Sequence, residues 1–492
     1  MPVSPAEMTA IESAAFARGV VAEDLMDRAG QSMADVVSQF FPQAGHAVLF
    51  CGKGHNAGDV LVAGTHLASR GWTLGLDLAF PESELAPLTA NKLAALRVVN
   101  HGQVRSGAKS LIALDGLLGI GSSGEPREPI ASAIRRIHDL RERHHAFVFA
   151  ADIPSGLDGL TGRPAEACVQ ADCTVTIGLV KSGLLADEAT NYVGRLALVP
   201  LEELQQTGGD RATLITPDFL QRLIPPRNFN SHKGTWGRLG VVAGSAQYLG
   251  AARFCCAAAV TAGAGLVTLY ATQETAAALR GWCAPEVMVK SVDHLAAILD
   301  DHMDALAIGP GLGDMHDEEI LKIVSDAECP VVIDADAINA LSRHPGALAD
   351  SKGPRLLTPH PMEMERLVPG TLKSDRRATA EEFVRGHQNC TLLLKGARTV
   401  ITSKDSATRF NSTGNPGMGT GGMGDVLTGV CGALLASGMA PVDAASLGTW
   451  LCGRAAEAYI FGSDGSPQSL TPSDTIHALG SAFRALGMSG SY

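Results

Sequence analysis

The sequence contains no Walker A motif. Its one Gly-Lys pair, Gly52-Lys53, is followed by Gly54 rather than Ser or Thr, which argues against a P-loop nucleotide site. No two of the ten cysteines are spaced C-x-x-C, and only Cys255 and Cys256 are adjacent. That excludes a disulfide framework and a zinc site, and points to buried thiols in a reducing cytoplasm. No basic segment leads into an apolar core near Met1, so no signal peptide is expected. The most apolar run, residues 254–270, is mostly Ala, Gly and Cys and is too short to span a membrane comfortably. Positive charge is in deficit as well: 39 Lys and Arg face 51 Asp and Glu, for a net charge of −12. Broad binding to nucleic acid or to an anionic membrane is therefore not expected. An anionic ligand must be held by local devices such as helix N-termini. A soluble, cytoplasmic protein is the expectation.

What is present fits a compact globular chain of two or three domains: 492 residues, 46% hydrophobic and 18% charged. Residues 11–41 carry helical apolar spacing. Residues 47–51 read as a buried strand running into Gly52-Lys-Gly-His-Asn-Ala-Gly-Asp59, with helical spacing from Val60 to Arg70. Strand, glycine turn and helix form the phosphate-binding half of a doubly wound unit, although a tight structural turn explains this one stretch equally well. Further strands are predicted at 73–80, 110–114, 146–151, 172–178 and near 194–200. Two of them end in Asp115-Gly-Leu-Leu-Gly-Ile-Gly-Ser-Ser-Gly124 and in Asp152-Ile-Pro-Ser155-Gly-Leu-Asp158-Gly. Three strand ends that each deliver an Asp and glycines point to a shared crevice. Asn56, Asp115 and Ser155 offer hard oxygen ligands, which suit a group I or II cation. Residues 201–211 are polar and read as a linker.

The second half repeats the strand-then-helix order and suggests a three-layered α/β domain with a mainly parallel sheet. Its strands are predicted near 239–243, 263–270, 305–308, 330–334, 356–357 and 390–394. Their polar ends include Asp334, Asp336, His360, Glu363 and Lys395-Gly-Ala-Arg-Thr399. The chain then reaches Asn415-Pro-Gly-Met-Gly-Thr-Gly-Gly-Met-Gly-Asp425 and an Ala/Leu/Val-rich segment from Val426 to about Ser437. That segment reads as a buried helix whose N-terminus is residues 421–425. Unpaired N–H groups and the positive dipole end make such a place an anion site. Asp425 would then stand beside a bound phosphate, able to take a proton from a hydroxyl. Taken alone, the same residues also describe a glycine loop with an ordinary capping Asp. Asp334 and Asp336 could help to organise Mg²⁺, though solvated strand-end acids are as common. A lone loop His such as His360 is more often structural than catalytic.

These motifs together resemble one family, the bacterial bifunctional NAD(P)H-hydrate repair enzymes. The likeness covers nearly the whole chain. In the first half it rests on Glu23-Asp-Leu-Met-Asp-Arg-Ala-Gly30, the two glycine loops, Asp152 to Gly159 and Gly178-Leu-Val-Lys-Ser-Gly183. In the second half it rests on Lys233-Gly234, Gly309-Pro-Gly-Leu-Gly313, Thr358-Pro-His-Pro-x-Glu363, Lys395-Gly396 and Asn415 to Gly429. The resemblance implies two α/β/α domains. A Rossmann-like epimerase would occupy residues 1–205, and a ribokinase-like, nucleotide-dependent dehydratase residues 206–492. The substrates it implies are the hydrates of NADH and NADPH (NADHX and NADPHX), formed when water adds to C6 of the dihydronicotinamide ring. The implied phosphoryl donor is ADP or ATP with Mg²⁺, and a homo-oligomer is expected.

Residue by residue, the likeness makes Asn56, Asp115 and Ser155 ligands of K⁺. It assigns His55, Asn56, Ala57, Gly58, Asp59, Gly119, Ile120, Gly121, Ser122, Ser123, Gly124, Glu125 and Asp152 to the hydrate, with Asp152 as acid/base group. In the second half Ala251, Gly311, His360 and Asp425 line the hydrate pocket, with Asp425 catalytic. Lys395, Gly396, Ala397, Arg398, Thr399, Gly421, Gly422 and Gly424 hold the nucleotide. One place departs from the family pattern Gly-Asn-Asn-Gly-Gly-Asp-Gly, which here reads Gly54-His-Asn-Ala-Gly-Asp-Val60. His55 forgoes an amide, and Ala57 is a problem only if its backbone needs φ > 0. The competing enzyme reading is a ribokinase-like small-molecule kinase with a ligand-binding regulatory first half.

Overall fold

Six short runs rich in β-branched and apolar residues form the strands of the first sheet. They are His46–Cys51, Thr73–Leu78, Leu111–Gly116, Phe147–Ala151, Cys173–Ile177 and Arg195–Val199. All pair in parallel. In chain order the strands lie 2-1-3-4-5-6 across the sheet. Parallel strands are covered on both faces, which explains why Leu111–Gly116 and Phe147–Ala151 are buried almost throughout instead of alternating. On one side Ile130, Ile134 and Ile137 of the helix Ile130–His144 pack on Phe50, Ala113 and Val148. In this computed structural model the chain divides into two units, Met1–Thr216 and Pro217–Ser489. The structure describes residues 2–99, 110–122, 124–204, 212–349, 351–373, 375–462 and 465–487.

The second unit carries a larger sheet of the same kind. From one edge its strands run Val287–Ser291, Leu266–Ala271, Arg238–Val242, Ala305–Ile308, Val331–Ile333, Arg355–Leu357 and Cys390–Leu394, all parallel. Thr399–Ser403 and Arg409–Asn411 continue it antiparallel. The helix Met423–Ala436 packs against the helix Leu249–Thr261. Gly429 makes their close approach possible: a Cβ there would stand 2.1 Å from the Cys255 carbonyl oxygen. All ten cysteines are unpaired, and no described helix is long and apolar enough to cross a membrane.

Three expectations change. The single helical stretch foreseen over 11–41 is two helices, Pro5–Ala17 and Ala22–Phe40, separated where Gly19 takes φ +93°. The polar stretch from Leu201 does not begin as a linker, because Leu201 and Leu204 are buried and line a cavity of the first unit. The remainder of that stretch, residues 205–211, lies outside the described residues, as does the boundary expected at 205/206. Val287–Ser291 is a strand that the sequence did not announce. As an edge strand it alternates buried and exposed positions and carries Lys290.

Replacing Gly429 by Ala is expected to overpack the helix pair and to cost about 1–3 kcal/mol. Thermal denaturation would register this as a lower midpoint, and an unchanged midpoint would mean that the helices can separate there freely.

Candidate active sites

The first sheet reverses its strand order at His46–Cys51, which has Thr73–Leu78 on one side and Leu111–Gly116 on the other. Doubly wound sheets open a crevice beyond the carboxyl ends of the strands at that point. A cavity of about 550 Å³ lies there, lined among others by residues that follow the strands ending at Cys51, Gly116 and Ala151. Of the residues expected to meet the hydrate, His55, Asn56, Asp59, Gly119, Ile120, Gly121, Ser122 and Asp152 line it. Ala57 and Gly58 face inward from the helix His55–Ser69, with Gly58 against Met26. Gly124 and Glu125 do not line the cavity, and the Glu125 carboxylate accepts the Glu166 N–H at 3.0 Å. Ser123 lies outside the described residues. The departures from the family pattern are accommodated. Ala57 sits inside a helix without positive φ, and Val60 is fully buried against Gly116.

Asn56, Asp115 and Ser155 gather beneath this cavity. Asn56 donates its amide to the carbonyls of Leu118 and Ala151 at 2.7 and 3.0 Å. Asp115 is fully buried and accepts the Ser155 hydroxyl at 2.7 Å, the Ser155 N–H at 2.8 Å and the Leu117 N–H at 3.1 Å. The Ser155 hydroxyl in turn accepts the Leu118 N–H at 2.9 Å. Burial pushes the Asp115 carboxyl up to about 6, partly offset by these hydrogen bonds. Among the described residues it has no ion-pair partner. Its contacts are two N–H groups and one hydroxyl, all neutral, so the carboxylate has hydrogen bonds but no counter-charge among the described residues.

Asp152 adopts φ +61°, a left-handed backbone that turns its side chain back over the strand ends. Its Oδ1 accepts the Ile177 N–H at 2.9 Å and a proton from the ammonium of Lys181. Lys181, 1% exposed, also donates to the Ile177 carbonyl at 2.8 Å. In the sequence Lys181 stands within Gly178-Leu-Val-Lys-Ser-Gly183, a pattern that by itself assigns it no role. The one signal available was a lysine amid apolar residues just after a buried strand. The Asp59 carboxyl is held well above its usual range, first by burial and then by repulsion from Asp152 and Glu12, with Lys181 opposing.

In the second unit Asp425 stands in the first turn of the helix Met423–Ala436. The turn before it depends on Gly422, at φ +94°, where a Cβ would stand 2.9 Å from the Phe254 ring and from Pro472. Burial, then repulsion from Asp334, pushes the Asp425 carboxyl up to about 7, while Lys395 pulls it down. Asp334 is the hub of the site. It is 1% exposed, and it accepts the Lys395 ammonium at 2.7 Å on one oxygen and the Thr428 hydroxyl at 2.7 Å on the other. Thr428 belongs to the same helix as Asp425, so the strand end that places Lys395 is tied to the helix that places the acid.

Lys395 also lies 3.7 Å from Glu363. Arg376 donates to the carbonyls of Leu394, Lys395 and Arg398 at 2.7–3.0 Å, which fixes the loop that follows the strand Cys390–Leu394. Within that loop Gly396 and Ala397 are exposed, Thr399 is buried and donates to the Gly396 carbonyl at 2.9 Å, and the Arg398 side chain is buried. Gly421 is exposed, and Gly424 adjoins Asp334 and Lys395. Gly311 and Ala251 are neighbours, since a Cβ on Gly311 would stand 2.8 Å from that of Ala251. His360 caps the helix Pro361–Leu367. Its Nδ1 accepts the N–H groups of Met362 and Glu363 at 3.1 and 3.2 Å, and its ring remains half exposed. Asp336 accepts the Gly313 N–H at 2.8 Å. A separate cavity of about 750 Å³ lies toward the far end of the Asp425 helix, lined by Gly263 and Ser437, and includes none of these residues.

Two α/β units, each built on a largely parallel sheet with carboxylates and glycines at its strand ends, define a two-site enzyme class. Residues 22–183 match the family described as YjeF-related protein N-terminus, and residues 239–469 match the family described as NAD(P)H-hydrate dehydratase. The bifunctional NAD(P)H-hydrate repair enzyme Nnr of Moorella thermoacetica is 36% identical over 88% of this chain and 87% of its own length. That of Escherichia coli is 35% identical over 90% and 86%. A Streptococcus mutans protein of known structure covers 56% of this chain and 100% of its own, at 26% identity and a TM-score of 0.51. The chain belongs to the family of bifunctional NAD(P)H-hydrate repair enzymes.

Removing the ammonium of the buried pair leaves the Asp152 carboxylate uncompensated. Lys181→Met is expected to destabilise the first unit by about 3–5 kcal/mol. The double variant with Asp152→Asn is expected to recover part of that in urea unfolding. Equal losses in the single and double variants would mean that the pair is not coupled.

Proposed function

We propose that this protein returns hydrated NADH and NADPH to their working form by two activities, one in each unit. The second unit dehydrates the S hydrate at the expense of ADP or ATP, and the first interconverts the R and S hydrates. The observation that carries the reading is Asp425. It is a half-buried acid with pKa raised to about 7, at a glycine-rich helix N-terminus suited to phosphate. Lys395, its loop to Thr399 and the N–H groups at Gly421, Gly422 and Gly424 hold the nucleotide phosphates. Ala251, Gly311 and His360 border the hydrate.

Asp425 takes the proton of the C6 hydroxyl as that oxygen attacks the terminal phosphorus, whose bond to the bridging oxygen breaks and releases AMP from ADP or ADP from ATP. Phosphate is a far better leaving group than hydroxide. It departs with the C6–O electron pair while a proton is lost from C5, and the C5–C6 double bond is restored. Mg²⁺ would be held by phosphate oxygens and by Asp336 and would supply charge neutralisation. In the first unit K⁺ would be held by Asn56, Asp115 and Ser155, where it supplies the counter-charge that Asp115 lacks. Asp152, charge-paired with Lys181, serves as an acid/base group on the hydrate. A small-molecule kinase reading requires a phosphorylated product that persists, and nothing in the first unit's cavity favours it.

Chemically hydrated NADH, incubated with the protein, ADP or ATP, Mg²⁺ and K⁺, is expected to regain its near-ultraviolet absorbance. Asp425→Asn is expected to slow this by about 10²- to 10⁴-fold. Recovery at the wild-type rate in that variant would remove Asp425 from the chemistry, and a stable phosphorylated product would restore the kinase reading. Because Asp425 must be a carboxylate to accept the proton, the dehydration rate should rise with pH through about 7 and level off above it. A rate that falls over that range would contradict the assignment. For the first unit, exchanging K⁺ for a bulky organic cation should slow epimerisation in the wild type but leave Asp115→Asn unaffected.

A further inference from the structure

Glu12 belongs to none of the residue patterns that carry the family likeness. It sits in the helix Pro5–Ala17, ahead of the stretch 22–183 that matches the epimerase-side family. It nevertheless lines the first unit's cavity together with Asp59 and Asp152. Three elements distant in sequence thus bring three carboxyl groups to one cavity: the first helix, the helix His55–Ser69 and the turn after Phe147–Ala151. The buried cation among them is Lys181, which donates to Asp152. Lys53 and His55 also line the cavity, and Lys53 lies over the Phe80 ring, 3.6 Å from Glu84.

We propose that Glu12 is the second acid–base group of the epimerase, the proton donor that complements Asp152 as acceptor. This rests on the reading of the first unit as an epimerase. Inverting C6 requires its C–O bond to break and to re-form from the other face. Glu12 gives its proton to the C6 hydroxyl, which leaves as water with the C–O electron pair, while the N1 lone pair closes to a C6=N1 double bond. A water then attacks C6 from the opposite face, forms the new C–O bond and loses a proton to the Asp152 carboxylate. Return of that proton to Glu12 through solvent resets the site, so nothing is consumed.

The surroundings divide the two groups as this requires. Burial raises the Glu12 carboxyl, repulsion from Asp152 raises it further, and Lys181 opposes. Asp152, in contrast, is met by an ammonium and a backbone N–H. A raised acid beside a carboxylate already paired with an ammonium is suited to give a proton while its neighbour receives one.

The test uses the full chain and the R hydrate of NADH without nucleotide, following its conversion to S chromatographically. Glu12→Gln is expected to lose at least about 100-fold in epimerisation. Its nucleotide-dependent dehydration of the S hydrate, carried out in the other unit, should remain at the wild-type rate. Glu12→Asp should regain part of the lost rate. In the wild type, epimerisation should fall as pH rises through the raised pKa of Glu12, and Glu12→Gln should lose that limb. Wild-type epimerisation by Glu12→Gln, or an unchanged limb, would overturn the proposal alone. A wild-type protein that dehydrates the S hydrate but never converts R would overturn both the proposal and the epimerase reading. If Glu12→Gln lowers the melting temperature, the rate of Glu12→Asp and the wild-type pH limb decide the matter.

Discussion

Both units depend on the same constraint, a parallel sheet that must be covered on both faces. Residues inside such strands have no access to water, so Ala305–Ile308 and Val331–Ile333 are wholly buried and apolar. Polar chemistry is displaced to the strand ends, where the backbone turns and helices present unpaired N–H groups. Asp115, Asp152, Asp334 and Lys395 all stand at or just past the carboxyl end of a strand. The sheet thus determines where a site can form, and the loops determine what it does.

Within each site a buried ammonium faces more carboxylates than it can neutralise. Lys181 meets Asp152 with Glu12 and Asp59 nearby, and Lys395 meets Asp334 with Glu363 and Asp425 nearby. Burial first, and this surplus negative charge after it, holds Glu12, Asp59 and Asp425 above the usual carboxylate range, as acids that can carry and exchange a proton. In a chain whose net charge is −12, local N–H groups and single lysines at the strand ends are the devices suited to an anionic ligand.

Much of this was legible because some chemistry is local. A glycine run before an apolar segment announces a helix N-terminus wherever the segment packs, and the helix Met423–Ala436 does place Asp425 in its first turn. The strands were legible because fully buried ones read as continuous apolar runs. Val287–Ser291 was not, since an edge strand has one face to spare for Lys290 and Met288. The break at Gly19 and the burial of Leu201 and Leu204 were also hidden, because a polar run looks like a linker until something apolar is seen to need its leucines.

By itself the sequence determined the two α/β halves, the family likeness and the acids and glycines at the strand ends. These follow from periodicity and from motifs in which every partner is within a few residues. Only the tertiary structure decided that Lys181 neutralises Asp152, that Asp334 joins Lys395 to Thr428, and that Glu12 reaches the cavity. Those pairs lie 29, 61 and 94 residues apart, or on separate elements. Their meeting is set by strand order and helix packing, which no local pattern encodes.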